Sequence, residues 1–112
     1  MLATIPSPHS GGIKQRHTVP VPALCPVTSN PAHGSRVIIS YVGHDVLLDV
    51  VTLPEYISSF VGSHVIRDLE KFTTQIGVDV SLLVGTNVTV IGEFVLTDGQ
   101  LLRCELTVSN LG

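Results

Sequence analysis

The hydrophobic pattern of the chain predicts four strands that form two antiparallel hairpins. Apolar and β-branched residues dominate four runs, and turn-forming residues separate the members of each pair. The runs are 36–42, 46–51, 88–96 and 101–108, and the turns are Gly43-His44-Asp45 and Asp98-Gly99. Because both faces of these runs carry β-branched residues, we expect a sheet that helices cover on one side and neighbouring copies on the other.

Two helices are predicted between the hairpins. Thr52-Leu53-Pro54-Glu55 has the pattern of a capping box with proline in the first turn, so a short helix should run to Val61 and stop at Gly62. A second helix should run from His64 to Gly77, because apolar residues recur there at helical spacing. The predicted class is α+β, with a four-stranded antiparallel sheet and two helices between its hairpins.

The first 17 residues are predicted to be a flexible leader to a single domain over residues 18–112. Residues 1–12 are rich in Ser, Pro, His and Gly and contain few apolar anchors. Valine and proline then alternate from Val19 to Pro22, which permits only an extended arm that leads to Cys25.

Composition restricts the class of protein. Hydrophobic residues make up 44% of the 112-residue chain and charged residues 13%, so we expect other copies of the chain to cover apolar surface. No apolar run approaches the roughly 20 residues that span a bilayer, and no signal peptide is evident, so a cytoplasmic protein without membrane contact is expected. The net charge of −3 argues against a protein that holds nucleic acid by charge alone.

Cys25 is the candidate nucleophile. It lies in Cys25-Pro26-Val27-Thr28-Ser29-Asn30-Pro31, where each proline restricts its own backbone and that of the residue before it, so the thiol is held in a fixed direction. The alternative is a small buried hydrophobe, the more common state of a free cysteine. Alternation places Cys104 among core residues. Neither the cysteines nor the five histidines have metal-ligand spacing, and no metal is expected.

The pattern Cys-Pro-Val-Thr-x-x-Pro, followed by the apolar run 37–41, resembles the nucleophile segment of the QueF family. These tunnel-fold enzymes act on the nitrile of 7-cyano-7-deazaguanine (preQ0), and the resemblance covers roughly residues 22–105. It implies a tunnel fold in which sheets from several copies close into a barrel, as pentameric rings stacked into a decamer. It also implies that the Cys25 thiolate adds to the nitrile as a thioimidate, at an interface where Asp68 comes from the neighbouring subunit.

Two departures from the family pattern change the expected reaction. Where the family has a proton-shuttle aspartate, the chain has Ala32, so the next residue, His33, becomes the candidate acid and base. An ordinary loop histidine is the alternative for His33. The segment whose lysines serve NADPH in the reductases corresponds to residues 49–56, which contain no lysine. No cofactor is therefore expected, because the phosphates of NADPH would lose their main anchor.

The resemblance is therefore closest to the QueF-like archaeosine synthases, which convert the nitrile base in tRNA to an amidine, with ammonium as co-substrate. The base-anchoring glutamate of the family corresponds to Asp68, and Glu70 is the second candidate, because a carboxylate accepts the N–H groups of a guanine-like base. The histidine before that glutamate becomes Arg67. Two alternatives stay open: an NADPH-dependent nitrile reductase, and a non-catalytic ring protein that binds a purine or nothing.

Overall fold

A computed structural model of the chain describes residues 1–66 and 68–110. The protein is α+β, as the hydrophobic pattern predicts. Its elements are β1 (Thr4–Pro6), β2 (Ile13–Pro20), β3 (Ala32–Gly43), β4 (Val46–Leu48), a 3₁₀ turn (Val50–Thr52), α1 (Leu53–Ser58), α2 (Leu69–Val84), β5 (Val88–Val95) and β6 (Leu101–Val108). No helix in these described ranges has the length and apolar character needed to cross a bilayer.

The main sheet has four antiparallel strands in the order β2-β3-β5-β6, and α2 packs across it. The core lies between this helix and the sheet, where Phe72, Ile76 and Val80 of α2 are fully buried together with Val90 of β5. The face of the sheet that points away from α2 carries alternating polar residues on β2 and β6, which is the pattern of a sheet with one covered side.

The second hairpin is confirmed. β5 and β6 pair from Val88 opposite Val108 to Val95 opposite Leu101. The turn closes with the Gly99 N–H donating to the Leu96 carbonyl at 2.9 Å, and Gly99 has φ of 92°, a left-handed conformation that glycine adopts without steric cost.

The prediction of a flexible leader over residues 1–17 is wrong. β1 and most of β2 lie in this segment, and β2 pairs with β3 from Ile13 opposite Gly43 to Pro20 opposite Arg36. His17 and Val19 are buried while Arg16 and Thr18 face outward. This alternation with period two is weak evidence by itself, because a strand is stabilised mainly by the partner it pairs with.

The first predicted hairpin is also wrong. The segment 46–48 does not pair with β3; it pairs with β1 in a separate two-stranded sheet, with Thr4 opposite Leu48. Tyr41 of β3 connects this small sheet to the main one, because its hydroxyl accepts the Leu48 N–H at 2.8 Å and lies 3.2 Å from Nε2 of the buried His17. The four-stranded sheet therefore takes its first strand from the N-terminal segment.

The first helix is shorter than predicted. It ends at Ser58 rather than Val61, and the capping box does not form, because the Thr52 hydroxyl donates to the Asp49 carbonyl at 2.8 Å instead of capping the helix. The same hydroxyl accepts the Ala3 N–H at 3.1 Å and so fastens the N-terminal segment. Tertiary hydrogen bonding thus replaces the local cap.

The second helix is longer and displaced along the sequence. It begins at Leu69 because Asp68 caps it by accepting the Lys71 N–H at 2.5 Å, and it ends at Gly85, which has φ of 73°. Gly77, predicted as the end, lies inside the helix. A β-carbon there would stand 2.7 Å from the side chain of Val108, so this glycine permits close packing of α2 on the sheet.

Tyr41→Phe should lower the free energy of unfolding by about 1–3 kcal/mol, because the buried Leu48 N–H would lose its acceptor. Urea denaturation measures this loss. Thr107→Val is the matched control: its hydroxyl bonds Thr89 on the exposed face of the sheet, and its removal should change stability by about 0.5 kcal/mol or less. Equal effects of the two substitutions would contradict the connecting role of Tyr41.

Candidate functional site

A pocket of about 600 Å³ opens at the end of the sheet nearest the start of α2. The loop before β3, the loop between the two helices and the β5–β6 hairpin surround it. Its larger apolar side chains are Leu24, Ile66, Leu69, Phe72, Leu96 and Leu102. Its polar side chains include Cys25, Thr28, Asn30, His64, Asp68 and Glu70. Apolar walls with a few convergent polar groups are typical of small-molecule sites, and the volume is adequate for a heterocyclic base.

The loop that carries Cys25 is closed on itself by Asn30. The Asn30 carbonyl accepts the N–H groups of Leu24 at 2.8 Å and Cys25 at 3.0 Å, and the Cys25 carbonyl accepts the Ser29 N–H at 2.8 Å. The Asn30 side chain also accepts the Thr97 N–H at 2.8 Å, which ties the loop to the β5–β6 turn. The backbone at Cys25 is therefore held in place, as the prolines predict. The hydrogen bonds also fix the position of this loop relative to the sheet.

Thr28 has the largest effect on the pKa of the Cys25 thiol. Its hydroxyl hydrogen bond to the sulfur lowers the pKa of the Cys25 thiol below the ordinary value, and the backbone N–H groups of Thr28 and Val27 lower it further. The Thr28 hydroxyl also accepts the Asn30 N–H at 3.3 Å, an arrangement that orients it. Hydrogen bonds to the charged form stabilise a thiolate, and the thiolate is the nucleophilic state of cysteine.

Cys104 has the opposite environment. It is partly buried on β6 and packs against the core, as alternation predicts. Burial raises the pKa of its thiol, and the negative charges of Glu70 and Asp68 raise it further. The two thiols are both partly exposed but differ in ionisation, and only Cys25 lines the pocket among the residues that the structure describes.

Of the two candidate carboxylates, Asp68 is the N-cap of α2 and Glu70 lies in its first turn, and both line the pocket. Asp68 uses one oxygen to cap the helix by accepting the Lys71 N–H, and a carboxylate has further lone pairs for a ligand. The structure places Cys25, Asp68 and Glu70 around one pocket of a single chain. The expectation that Cys25 and Asp68 would meet only across a subunit interface is therefore corrected.

The structure does not place His33 at this pocket. His33 is exposed near the start of β3, and the pocket is lined instead by His64, from the loop between the helices. His64 was not evident as a site residue from the sequence, because the apolar pattern assigns it to the start of the second helix. The signal for His64 in the sequence was its position four residues before the candidate base anchor Asp68. Arg67 lies outside the described residues. Within the described ranges, no three His, Cys, Asp or Glu side chains gather as metal ligands.

No family model matches the chain. A search of curated proteins also finds no match. The assignment of a function therefore depends on the residues themselves: the Cys-Pro-Val-Thr segment, the carboxylates at the start of α2, and the pocket that brings them together.

Thr28→Val should move the pH dependence of Cys25 alkylation to higher pH, because it removes the hydroxyl that stabilises the thiolate while keeping the side-chain shape. The measurement is the rate of iodoacetamide labelling between about pH 5 and 10, the range in which thiols titrate. Peptide mass distinguishes labelling at Cys25 from labelling at Cys104. Thr107→Val serves as control and should leave the profile unchanged. An unaltered midpoint in Thr28→Val would refute the role of this hydroxyl.

Proposed function

We propose that the chain is a tRNA-modifying amidinotransferase of the archaeosine-synthase type. It converts the nitrile of 7-cyano-7-deazaguanine in tRNA to an amidine, with ammonium as co-substrate and Cys25 as the covalent nucleophile. The observation that carries the proposal is the shared pocket: a cysteine whose pKa is lowered lies with two carboxylates in a cavity of suitable size for a base.

The reaction requires no oxidation or reduction. The Cys25 thiolate forms an S–C bond to the nitrile carbon, one C–N π pair moves to nitrogen, and that nitrogen takes a proton to give a thioimidate. Ammonia then adds to the same carbon, the C–S bond breaks, and the thiolate leaves. The product is an amidine that contains the atoms of the nitrile plus one ammonia, so hydride from a nicotinamide has no part in it.

The pocket supplies groups that suit a guanine-like base. Its carboxylates, Asp68 and Glu70, can accept the ring N–H and the exocyclic amine, and Asp68 remains the first candidate because the resemblance places the base anchor there. Leu69, Leu96 and Leu102 provide apolar surface for the ring faces. The base must leave its stack in tRNA to enter, because the thiol cannot reach a nitrile inside folded RNA.

The charges around the pocket favour this reaction over nitrile reduction. Among the described residues that line it, none is Lys or Arg. Where the reductases carry their NADPH-binding lysines, the chain has Val51, which is exposed, and Pro54 in the first turn of α1. The phosphate groups of a dinucleotide would therefore find no Lys or Arg side chain among these residues.

The free edges of the sheet support the proposed assembly into rings. β2 and β6 form the two edges of the main sheet, each with eight residues. Long unpaired edges are templates for another strand, so we propose that β6 of one copy pairs with β2 of the next. The chain also exposes 6458 Å², above the roughly 5,900 Å² typical of a compact monomer of 11.9 kDa. Pentameric rings stacked as a decamer follow from the family resemblance.

Binding of tRNA would depend on repeated weak contacts. Arg36 and Arg103 form ion pairs with Glu93, at 2.7 Å and 3.6 Å. These ion pairs leave less of the positive charge of the two arginines available to bind phosphate. Lys14 and Arg16 on β2 form no ion pair within the described part of the chain, and they lie on a shallow surface that also contains Asn87. Repetition of these cations around a ring would add their contributions through multivalency.

The assay of the proposed reaction uses tRNA that carries the nitrile base, supplied with ammonium or NADPH in separate reactions. We expect an amidine nucleoside that depends on ammonium, identified by mass. Cys25→Ala should be inactive, whereas Cys104→Ala should stay active and lose roughly 1–2 kcal/mol of stability. An aminomethyl product that requires NADPH would establish the reductase, and reversible binding of the free base without any product would support the non-catalytic alternative.

The assembly prediction concerns Glu105 on the free edge of β6. Because the Leu96 N–H bonds the Gln100 carbonyl, alternation places the N–H of Glu105 at that edge, away from β5. Glu105→Pro should therefore remove an intersubunit donor and yield smaller species, while Glu105→Thr should keep the native assembly. Sedimentation velocity at micromolar concentration measures both. A native chain that sediments as a stable monomer would contradict ring formation.

A further inference from the structure

The loop between α1 and α2 is fastened directly to the loop that carries Cys25. The Gly62 N–H donates to the Leu24 carbonyl at 2.8 Å, and Cys25 follows Leu24 while His64 lies two residues after Gly62. The Ser63 N–H also donates to the Phe60 carbonyl at 3.1 Å. This link holds the backbone of both loops together at the pocket that Cys25 and His64 line.

The backbone on the other side of His64 is fixed as well. The Ser63 hydroxyl accepts the Ile66 N–H at 3.0 Å and the Val65 N–H at 3.3 Å, which closes a turn around His64. Asp68 then begins α2. The histidine is therefore carried by a defined turn between the Gly62 contact and the helix cap, at the mouth of the pocket.

We propose that His64, rather than His33, is the general acid and base of the reaction. The inference rests on the proposed function. Its basis is the geometry described above: His64 shares the pocket and the hydrogen-bonded loop contact with Cys25, whereas His33 lies outside the pocket lining. Ala32, where the family has its aspartate, belongs to β3 and pairs with Val95, so the chain offers no carboxylate from that position.

The two chemical steps need one group that both donates and accepts a proton near neutral pH. In the first step the protonated imidazole donates a proton to the nitrile nitrogen as the Cys25 sulfur bonds to carbon. In the second step the neutral imidazole accepts a proton from the attacking ammonia as the thiolate leaves. Imidazole is the side chain suited to both tasks, while carboxyl groups ordinarily ionise well below neutral pH.

Among the described residues, the other titratable groups that line this pocket are few and come from defined elements. The loop before β3 contributes Cys25, the N-cap of α2 is Asp68, and its first turn contributes Glu70. The residues of the β5–β6 hairpin that line it, Leu96 and Leu102, are apolar. Variants of His64 can therefore be interpreted against a small set of ionisable side chains.

The test measures the rate at which native protein gains the mass of the free base 7-cyano-7-deazaguanine. His64→Asn should slow this adduct formation by about 10²–10⁴-fold, the usual contribution of a positioned acid or base. His33→Asn is the matched control and should stay within about threefold of the native rate, well below that range. Circular dichroism tests whether the variant keeps its fold, and an unchanged rate of iodoacetamide labelling at Cys25 shows that the Cys25 loop is intact. His64→Gln provides an independent second variant.

The pH dependence separates catalysis from a structural role. The native rate needs the Cys25 thiolate and a proton donor at the same time, so it should be greatest at an intermediate pH and lower on both sides. His64→Asn removes the proton donor, so its slower rate should only rise with pH as Cys25 ionises. A His64→Asn rate within about threefold of native, or a slow variant that keeps a maximum at intermediate pH, would overturn the assignment of His64. A native protein that forms no adduct would instead overturn the proposed function, and the role of His64 with it.

Discussion

The hydrogen bonds of Asn30 hold together the region on which the candidate site depends. Its carbonyl closes the Cys25 loop, and its side chain accepts the Thr97 N–H from the β5–β6 turn at 2.8 Å. The Leu24 carbonyl then binds the Gly62 N–H from the loop between the helices. Three segments that are distant in sequence thus share one small network. Because buried or partly buried backbone groups require partners, this network fixes the loops relative to each other.

The helix cap and the binding surface use the same residue. Asp68 starts α2 by accepting the Lys71 N–H, and the same carboxylate faces the pocket beside Glu70. α2 packs closely against β6 at Gly77, where a β-carbon would stand 2.7 Å from the side chain of Val108. The carboxylates at the start of the same helix also act on this strand, because their negative charge raises the pKa of Cys104.

The electrostatic difference between the two cysteines follows from local hydrogen bonding as much as from burial. Cys25 has donors from Thr28 and Val27 directed at its sulfur, whereas Cys104 has an apolar setting and nearby negative charge. The same side chain is therefore stabilised as a thiolate in one place and as a thiol in the other. Hydrogen bonds from its own loop thus favour the ionised form of this nucleophile.

The sequence by itself determined the features that depend on neighbouring residues. Turn chemistry at Asp98-Gly99 and alternation predicted the β5–β6 hairpin, and the prolines around Cys25 predicted a restrained loop. The sequence did not determine which segments pair. Local patterns predict flexible chain up to residue 17 and make the segment 46–51 the partner of β3, because a strand is stabilised mainly by the partner it pairs with, and that partner is not encoded locally. Only the tertiary structure placed His64, rather than His33, in the pocket that Cys25 lines, since membership of a pocket depends on contacts between loops that no local pattern encodes.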